Sequence, residues 1–131
     1  MRIKSICHVE SGTVTPYEFE RAILPFGTTT AICDSHELCN VSGVRAIDYF
    51  LACADNMLMD LYVQLPSCVP CSHLGSFNHT LLAEDLKPYL SHKKVLGLAE
   101  FMDVHGVWNQ DEEVLNKLEL FQEKIMDGPL L

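Results

Sequence analysis

Positive charge is scarce in this sequence. It has nine Lys and Arg against 18 Asp and Glu, which gives a formal net charge of −9. The basic residues are scattered, and their closest pair is Lys93-Lys94. Surfaces that bind nucleic acid or anionic membranes gather Lys and Arg in clusters. We therefore expect neither nucleic acid nor a membrane surface as a partner.

Long apolar runs are also missing. The most apolar stretch, residues 49–65, is interrupted by Asp55, Asn56 and Asp60, whereas a membrane-spanning helix needs about 20 nearly uncharged residues. The first residues lack the apolar middle region of a signal peptide. The six cysteines do not indicate a secreted disulfide framework, because several lie in apolar segments where a thiol acts as a small hydrophobe. The sequence predicts a reduced, cytoplasmic protein.

What the sequence does have is a repeated alternation of strand and helix. At 131 residues and 48% hydrophobic content, it is long and apolar enough for one domain spanning residues 1–131. Short apolar runs predict strands at residues 3–9, 28–33, 59–65 and 95–99. Helical spacing of apolar residues predicts helices at 15–26, about 42–55, 83–90 and 112–126, with a polar turn at 34–40.

Start and stop signals support these helices. Thr15 can cap the first one, Pro16 suits its first position, Glu18 completes a capping box and Gly27 ends it. Pro88 should kink or shorten the third helix. Four βα units with apolar strands predict an α/β fold with a parallel sheet. The spacing fits either a doubly wound sheet or half of a (β/α)8 barrel.

Polar residues follow each predicted strand, where ligands gather in both architectures. They are His8 after the first strand, Asp34, His36 and Glu37 after the second, Ser67 after the third and Glu100 after the fourth. Imidazoles and carboxylates that meet at one rim suit a divalent transition metal. There are structural alternatives: His8 could be a hydrogen-bonded loop residue, and Asp34 could cap the following segment. A carboxylate at Glu100 would be costly to bury unless it is paired or metal-bound.

A separate motif, Cys68-Val69-Pro70-Cys71, has the spacing of a metal or thiol module. A zinc site would need a second pair of ligands at suitable spacing. A redox motif usually opens a helix, whereas this one lies in a segment rich in Pro and Ser. A CxxC function is therefore a third hypothesis, behind a hydrolase and a non-catalytic module.

Several consecutive segments resemble the bacterial adenine deaminases, which belong to the metal-dependent amidohydrolases. The similar segments keep their order and are His8-Val9-Glu10-Ser11-Gly12 with Thr15-Pro16, Leu24-Pro25-Phe26-Gly27-Thr28-Thr29-Thr30, Asp34-Ser35-His36-Glu37-Leu38-Cys39-Asn40-Val41-Ser42-Gly43, Leu65-Pro66-Ser67-Cys68-Val69-Pro70 and Gly97-Leu98-Ala99-Glu100-Phe101-Met102. The resemblance implies a TIM barrel, of which this chain would form about the first half.

The resemblance also implies an activity and roles for individual residues. The family hydrolyses adenine, a small purine, to hypoxanthine and ammonia with a metal-activated hydroxide. By resemblance, His8 is a metal ligand, and Glu100 is both the bridging metal ligand and a catalytic residue. Asp34, His36, Glu37 and Ser67 would bind substrate or an accessory metal. The implied cofactor is Mn²⁺ or Fe²⁺, with Zn²⁺ as a further candidate.

Two departures from the family pattern matter. The first His of the family's HxH motif would fall at position 6, where this chain has Ile6, and Asp127-Gly128 is followed by Pro129 instead of the family's next His. Ligands from the second half of the barrel lie outside these residues. We therefore predict that the isolated chain is inactive. The alternative is a non-catalytic remnant or an oligomerising binding module, because a half barrel leaves sheet edges unpaired.

Overall fold

A computed structural model describes residues 2–71 and 77–128. Five strands run through this part of the chain: β1 (Arg2–Cys7), β2 (Thr28–Asp34), β3 (Asp60–Leu65), β4 (Val95–Leu98) and β5 (Ile125–Met126). The α-helices are α1 (Pro16–Ile23), α2 (His36–Ser42), α3 (Val44–Asn56), α4 (Ala83–Leu86), α5 (Val104–Trp108) and α6 (Glu112–Leu120). Short 3-10 helices occupy Glu10–Gly12, Leu24–Phe26 and Lys87–Tyr89. Within the described ranges, no helix is both long and apolar enough to cross a membrane.

The order of the strands separates the two predicted architectures. All neighbouring strands pair in parallel, and the sheet order is β1-β2-β3-β4-β5, which is also the chain order. A doubly wound sheet reverses direction at a switch point, so its strand order departs from the chain order. A (β/α)8 barrel adds each strand beside the previous one. The chain therefore has an α/β fold with flanking helices that is consistent with half of a TIM barrel, as predicted.

The Thr15, Pro16 and Gly27 signals at the first helix are confirmed, but the predicted capping box is not, because the Glu18 side chain accepts a hydrogen bond from Arg21. The Thr15 side chain accepts a hydrogen bond from the Glu18 backbone N–H at 3.3 Å, and Pro16 is the first helical residue. Gly27 has φ of 85°, a left-handed conformation that glycine adopts at little cost. Pro88 lies in the 3-10 helix that follows α4, so this helix is shortened as expected.

The core lies between the sheet and the helices, and the central strands with α3 supply most of it. Ile47 and Phe50 of α3 are at most 1% exposed. They belong to one cluster with residues from β2, β3 and β4, namely Ala31, Cys33, Leu61, Val63, Leu65, Val95 and Leu98. Burial of this face supplies the main driving force for folding. It also fixes which residues point to the opposite face, because side chains alternate along a strand.

Two predicted segments were wrong, and one helix was not predicted. Residues 34–40 do not form a turn: Asp34 ends β2, and a helix begins at His36. The last predicted helix ends at Leu120, and Ile125 instead lies in β5, where it is 58% exposed. Pairing with Gly97 of β4 gives this segment backbone hydrogen bonds that helical spacing could not predict. Helix α5 was not predicted. The Asp103 side chain caps it by accepting a hydrogen bond from the Gly106 N–H at 2.8 Å.

Candidate metal centre

The carboxyl ends of β1, β2 and β3 lie side by side because these strands are parallel and adjacent. His8 follows β1 directly, Asp34 is the last residue of β2, and His36 is the first residue of α2. The chain turns sharply after β2, with only Ser35 between the strand and the helix. Because of this turn, His36 lies close to Asp34 at the carboxyl end of β2.

As a result, His8, Asp34 and His36 meet at one point of the rim. One potential ligand atom from each lies within 4.8 Å of the others, and the group is the one set of metal-binding side chains found within the described residues. The two imidazole rings are 4.9 Å apart between centroids and meet edge to face at 78°. The structure thus brings together three of the predicted site residues, whereas Glu100, which was expected at the same place as His8 and His36, is not in the group.

Asp34 holds His36 through two hydrogen bonds. One Asp34 oxygen accepts from the His36 backbone N–H at 3.1 Å, and the other lies 2.9 Å from His36 Nδ1. The Asp34 side chain is fully buried, whereas that of His36 is 21% exposed. The hydrogen bond that the His36 ring donates to Asp34 raises the pKa of His36, although burial of the ring opposes this. If Nδ1 bonds to Asp34, Nε2 is the ring atom left for a ligand, an arrangement common among metal-binding histidines.

Beside this group lies a residue that was not selected from the sequence. Both carboxylate oxygens of Glu10 are buried, and neither has a hydrogen-bond partner among the described residues. His8 Nδ1 is buried and without a partner in the same way. Burial raises the pKa of Glu10 and the nearby charge of Asp34 raises it further, while its own backbone and His8 lower it. The sequence signal that could have identified Glu10 was its position two residues after His8, on the segment that follows β1.

These residues fit a divalent metal ion. Imidazole nitrogen and carboxylate oxygen bind such metals at about 2.0–2.2 Å, which places ligand atoms about 3–4 Å apart. The separations within the His8–Asp34–His36 group need only a small contraction to reach that range. The unpaired buried atoms of His8 and Glu10 are an independent sign of fit, because a cation would compensate polar groups that are otherwise costly to bury.

The remaining predicted site residues lie at the same rim but outside this group. Glu37 is exposed and accepts a hydrogen bond from the Ser11 hydroxyl at 2.8 Å. Ser67 is buried, and its hydroxyl donates to the backbone carbonyl of Glu100, which links the ends of β3 and β4. The Glu100 side chain is partly buried and does not join the three grouped residues. Two strands separate β4 from β1, so the roles of Glu37, Ser67 and Glu100 stay predictions.

The Cys68–Cys71 segment has no features of a metal or thiol site in the described residues. Cys68 is 6% exposed, and burial raises the pKa of its thiol to about 12. Cys71 is exposed. A buried thiol that stays protonated is a poor nucleophile and a poor ligand. His73, the nearest histidine in the sequence, lies outside the described residues.

No protein-family profile matches the chain, but it is similar to curated proteins named adenine deaminase. It is 52% identical over 126 residues to one from Cereibacter sphaeroides (strain ATCC 17025). It is 51% identical over 126 residues to one from Brucella suis, and 50% identical over 126 residues to "Adenine deaminase 1" from Agrobacterium fabrum. Each match covers 95% of this chain and 22% of the relative. The predicted resemblance is confirmed, and the chain spans about a fifth of the length of these relatives.

Proposed function

We propose that this chain, whose sequence corresponds to a segment of the adenine deaminases, forms one side of a metal-dependent site for the hydrolytic deamination of adenine. The proposal rests on the convergence of His8, Asp34 and His36, whose ligand atoms lie within 4.8 Å of one another at the rim of a parallel sheet. Similarity to proteins named adenine deaminase supports the reaction. The substrate is then a small purine, and the setting is purine salvage in the cytoplasm.

The reaction replaces one bond at a single ring carbon. The oxygen of water attacks C6 of adenine, the bond from C6 to the exocyclic nitrogen breaks, and proton transfer to that nitrogen releases ammonia and hypoxanthine. A divalent metal, when bound, supplies the Lewis acidity that lowers the pKa of water. Among nitrogen and oxygen ligands, Mn²⁺ and Fe²⁺ are suitable, and Zn²⁺ is a further candidate.

The residues of this chain would have different roles in the reaction. His8, Asp34 and His36 would hold the metal, with Asp34 also fixing the His36 ring through the 2.9 Å contact. Glu100 would act as a further metal ligand and catalytic group, at the end of β4 where its backbone carbonyl is held by Ser67. Glu37 and Ser67 would contact substrate or support the ligands. The substrate would approach from the shared carboxyl edge of the strands, as in other barrels.

We also propose that the 131-residue chain does not turn over adenine by itself. Ile6 has no ligand atom where a second histidine would be expected, and this chain spans 22% of its relatives. A second candidate function is a non-catalytic module that associates with copies of itself. The observation that favours it is the pair of outer strands, since Ile3 of β1 is 60% exposed and Ile125 of β5 is 58% exposed.

The test of the metal site is titration of the metal-free chain with Mn²⁺ by calorimetry. We expect one site, and we expect His36→Asn to weaken binding at least tenfold by removing a ligand. His105→Asn is the matched control, because His105 is exposed on α5 and outside the grouped residues. Absence of Mn²⁺ binding, or equal affinity in the His36 and His105 variants, would contradict the proposal. Ammonia release from adenine by the isolated chain would contradict the prediction of inactivity.

A further inference from the structure

The buried side-chain polar atoms without hydrogen-bond partners lie where β1 and β3 end, at the carboxyl edge of the sheet. In the part of the chain that the structure describes, they belong to three residues: His8, Glu10 and Gln64. His8 and Glu10 follow β1, and Gln64 is paired in register with Asp34 across β2 and β3. Paired residues of neighbouring strands point to the same face of a sheet. Gln64, which is 3% exposed, therefore adds a third unpaired group on the Asp34 face.

The two buried carboxylates in this place differ in how their oxygens are used. Both oxygens of Asp34 already accept hydrogen bonds from His36, at 3.1 and 2.9 Å. Both oxygens of Glu10 are buried with no donor in hydrogen-bond geometry. A carboxylate that orients a histidine commonly lies behind a metal ligand, whereas a carboxylate without protein partners is available to the ion itself. The 3-10 helix that begins at Glu10 contacts α2, the helix that begins at His36, so the Glu10 segment lies beside the grouped residues.

We infer that Glu10 is a direct carboxylate ligand of the cation bound by His8 and His36, while Asp34 serves mainly to position His36. This inference rests on the proposed metal centre and assigns a ligand that the sequence comparison does not. Glu10 is not one of the three grouped residues, so its carboxylate would have to turn toward the ion, and no side chain of another described residue holds it back through a hydrogen bond. Glu10 would add a negative charge to two neutral imidazoles, which suits a divalent ion with nitrogen and oxygen ligands.

The neighbouring acid Glu37 does not meet the same conditions. It is exposed, and its Oε1 accepts a hydrogen bond from the Ser11 hydroxyl at 2.8 Å. Its charge also acts on Glu10, so it lies in the same electrostatic surroundings. Because Glu37 is itself assigned to the proposed site, the control is Glu18→Gln: Glu18 lies on α1, where it is exposed and pairs with the exposed Arg21.

The experiment compares Mn²⁺ affinity and metal-free thermal stability for the wild-type chain, Glu10→Gln and Glu18→Gln. We expect Glu10→Gln to weaken Mn²⁺ binding at least tenfold and Glu18→Gln to change it less than threefold. Without metal, we expect the melting temperature of Glu10→Gln to equal or exceed that of the wild type, because an amide is less costly to bury than an unpaired charge. A residue with only a structural role would show loss of stability and no selective loss of metal.

Three outcomes would overturn the inference. Glu10→Gln could bind Mn²⁺ within threefold of the wild type while His36→Asn does not, which would remove Glu10 from the ligands and leave the metal centre standing. Glu10→Gln could melt well below the wild type without metal, which would show that the carboxylate has a structural partner. Finally, a wild-type chain that binds no Mn²⁺ would reject the metal centre and the ligand assignment together.

Discussion

Replacing Asp34 by Asn should destabilise the metal-free protein at mildly acidic pH and much less at alkaline pH. Asparagine keeps an oxygen for the His36 backbone N–H but removes the negative charge beside the ring. Because Asp34 raises the pKa of His36 above 6.5 in the folded protein, the charged pair stabilises the fold fully below about pH 6.5. That stabilisation is lost as the pH rises through the folded pKa of His36.

The size of the effect follows from the surroundings of the pair. A hydrogen bond to a charged group contributes about 1.5–3 kcal/mol, and partial exposure of His36 screens this to about 1–2 kcal/mol. A small domain loses about 1–3 kcal/mol of unfolding free energy per molar urea. With a slope in the middle of that range, about 2 kcal/mol per molar, the urea midpoint of Asp34→Asn at pH 6 should fall by about 0.5–1 M relative to the wild type.

The assay is urea denaturation followed by circular dichroism at pH 6 and pH 8.5, with a chelator present. Glu18→Gln is the matched control, because Glu18 and Arg21 form an ion pair on α1 whose side chains are 54% and 76% exposed. This variant should show little change at either pH, since exposed ion pairs contribute little to stability. Equal midpoint shifts for Asp34→Asn at both pH values would refute the proposed role of the His36 charge.

Two further predictions concern other parts of the fold. A Cβ at Gly97 would lie 1.8 Å from the Ile125 carbonyl oxygen, so Gly97→Ala should displace β5 and lower the free energy of unfolding by about 1–3 kcal/mol. The control is Gly12→Ala, whose Cβ would meet only a side chain, at 3.6 Å. Thermal melting compares the two variants, and equal melting temperatures would contradict the prediction. Burial lowers the pKa of Lys117, whose Nζ donates to the Ser67 carbonyl at 3.1 Å. At a pH between that lowered pKa and 10.5, the unfolded chain binds more protons at Lys117 than the folded chain does, so the wild type becomes more stable as the pH rises. The urea midpoint should therefore rise less between pH 8 and pH 10 for Lys117→Met than for the wild type. Equal rises would count against the lowered pKa.

The sequence predicted the parts of the fold that depend on local rules. The four main strands could be found from apolar runs, and the Thr15–Pro16 start from capping chemistry. The strand at Ile125 could not be found, because it exists only through its pairing with Gly97, 28 residues earlier in the chain. Helix α2 was missed because the polar residues at 34–40 were interpreted as a turn, although Ser35, a residue type that commonly precedes a helix, stands directly before it.

For the site, residue type and position were enough to select His8, Asp34 and His36, whose convergence the parallel strands explain. They were not enough to select Glu10. A carboxylate three residues after a strand usually faces water, and only the packing of the rim shows that both of its oxygens are buried without partners. Missing hydrogen bonds are a property of three-dimensional packing and leave no pattern in the sequence.

The sharp return of the chain from β2 into α2 has a consequence for biosynthesis. Asp34 and His36 are two positions apart, and His8 lies 28 positions before His36. The contacts that join them therefore close a short loop, at a small cost in chain entropy. Polypeptides emerge from the ribosome in order and fold as they emerge. All three side chains of the group are thus available once β1, β2 and the first residue of α2 have been synthesised.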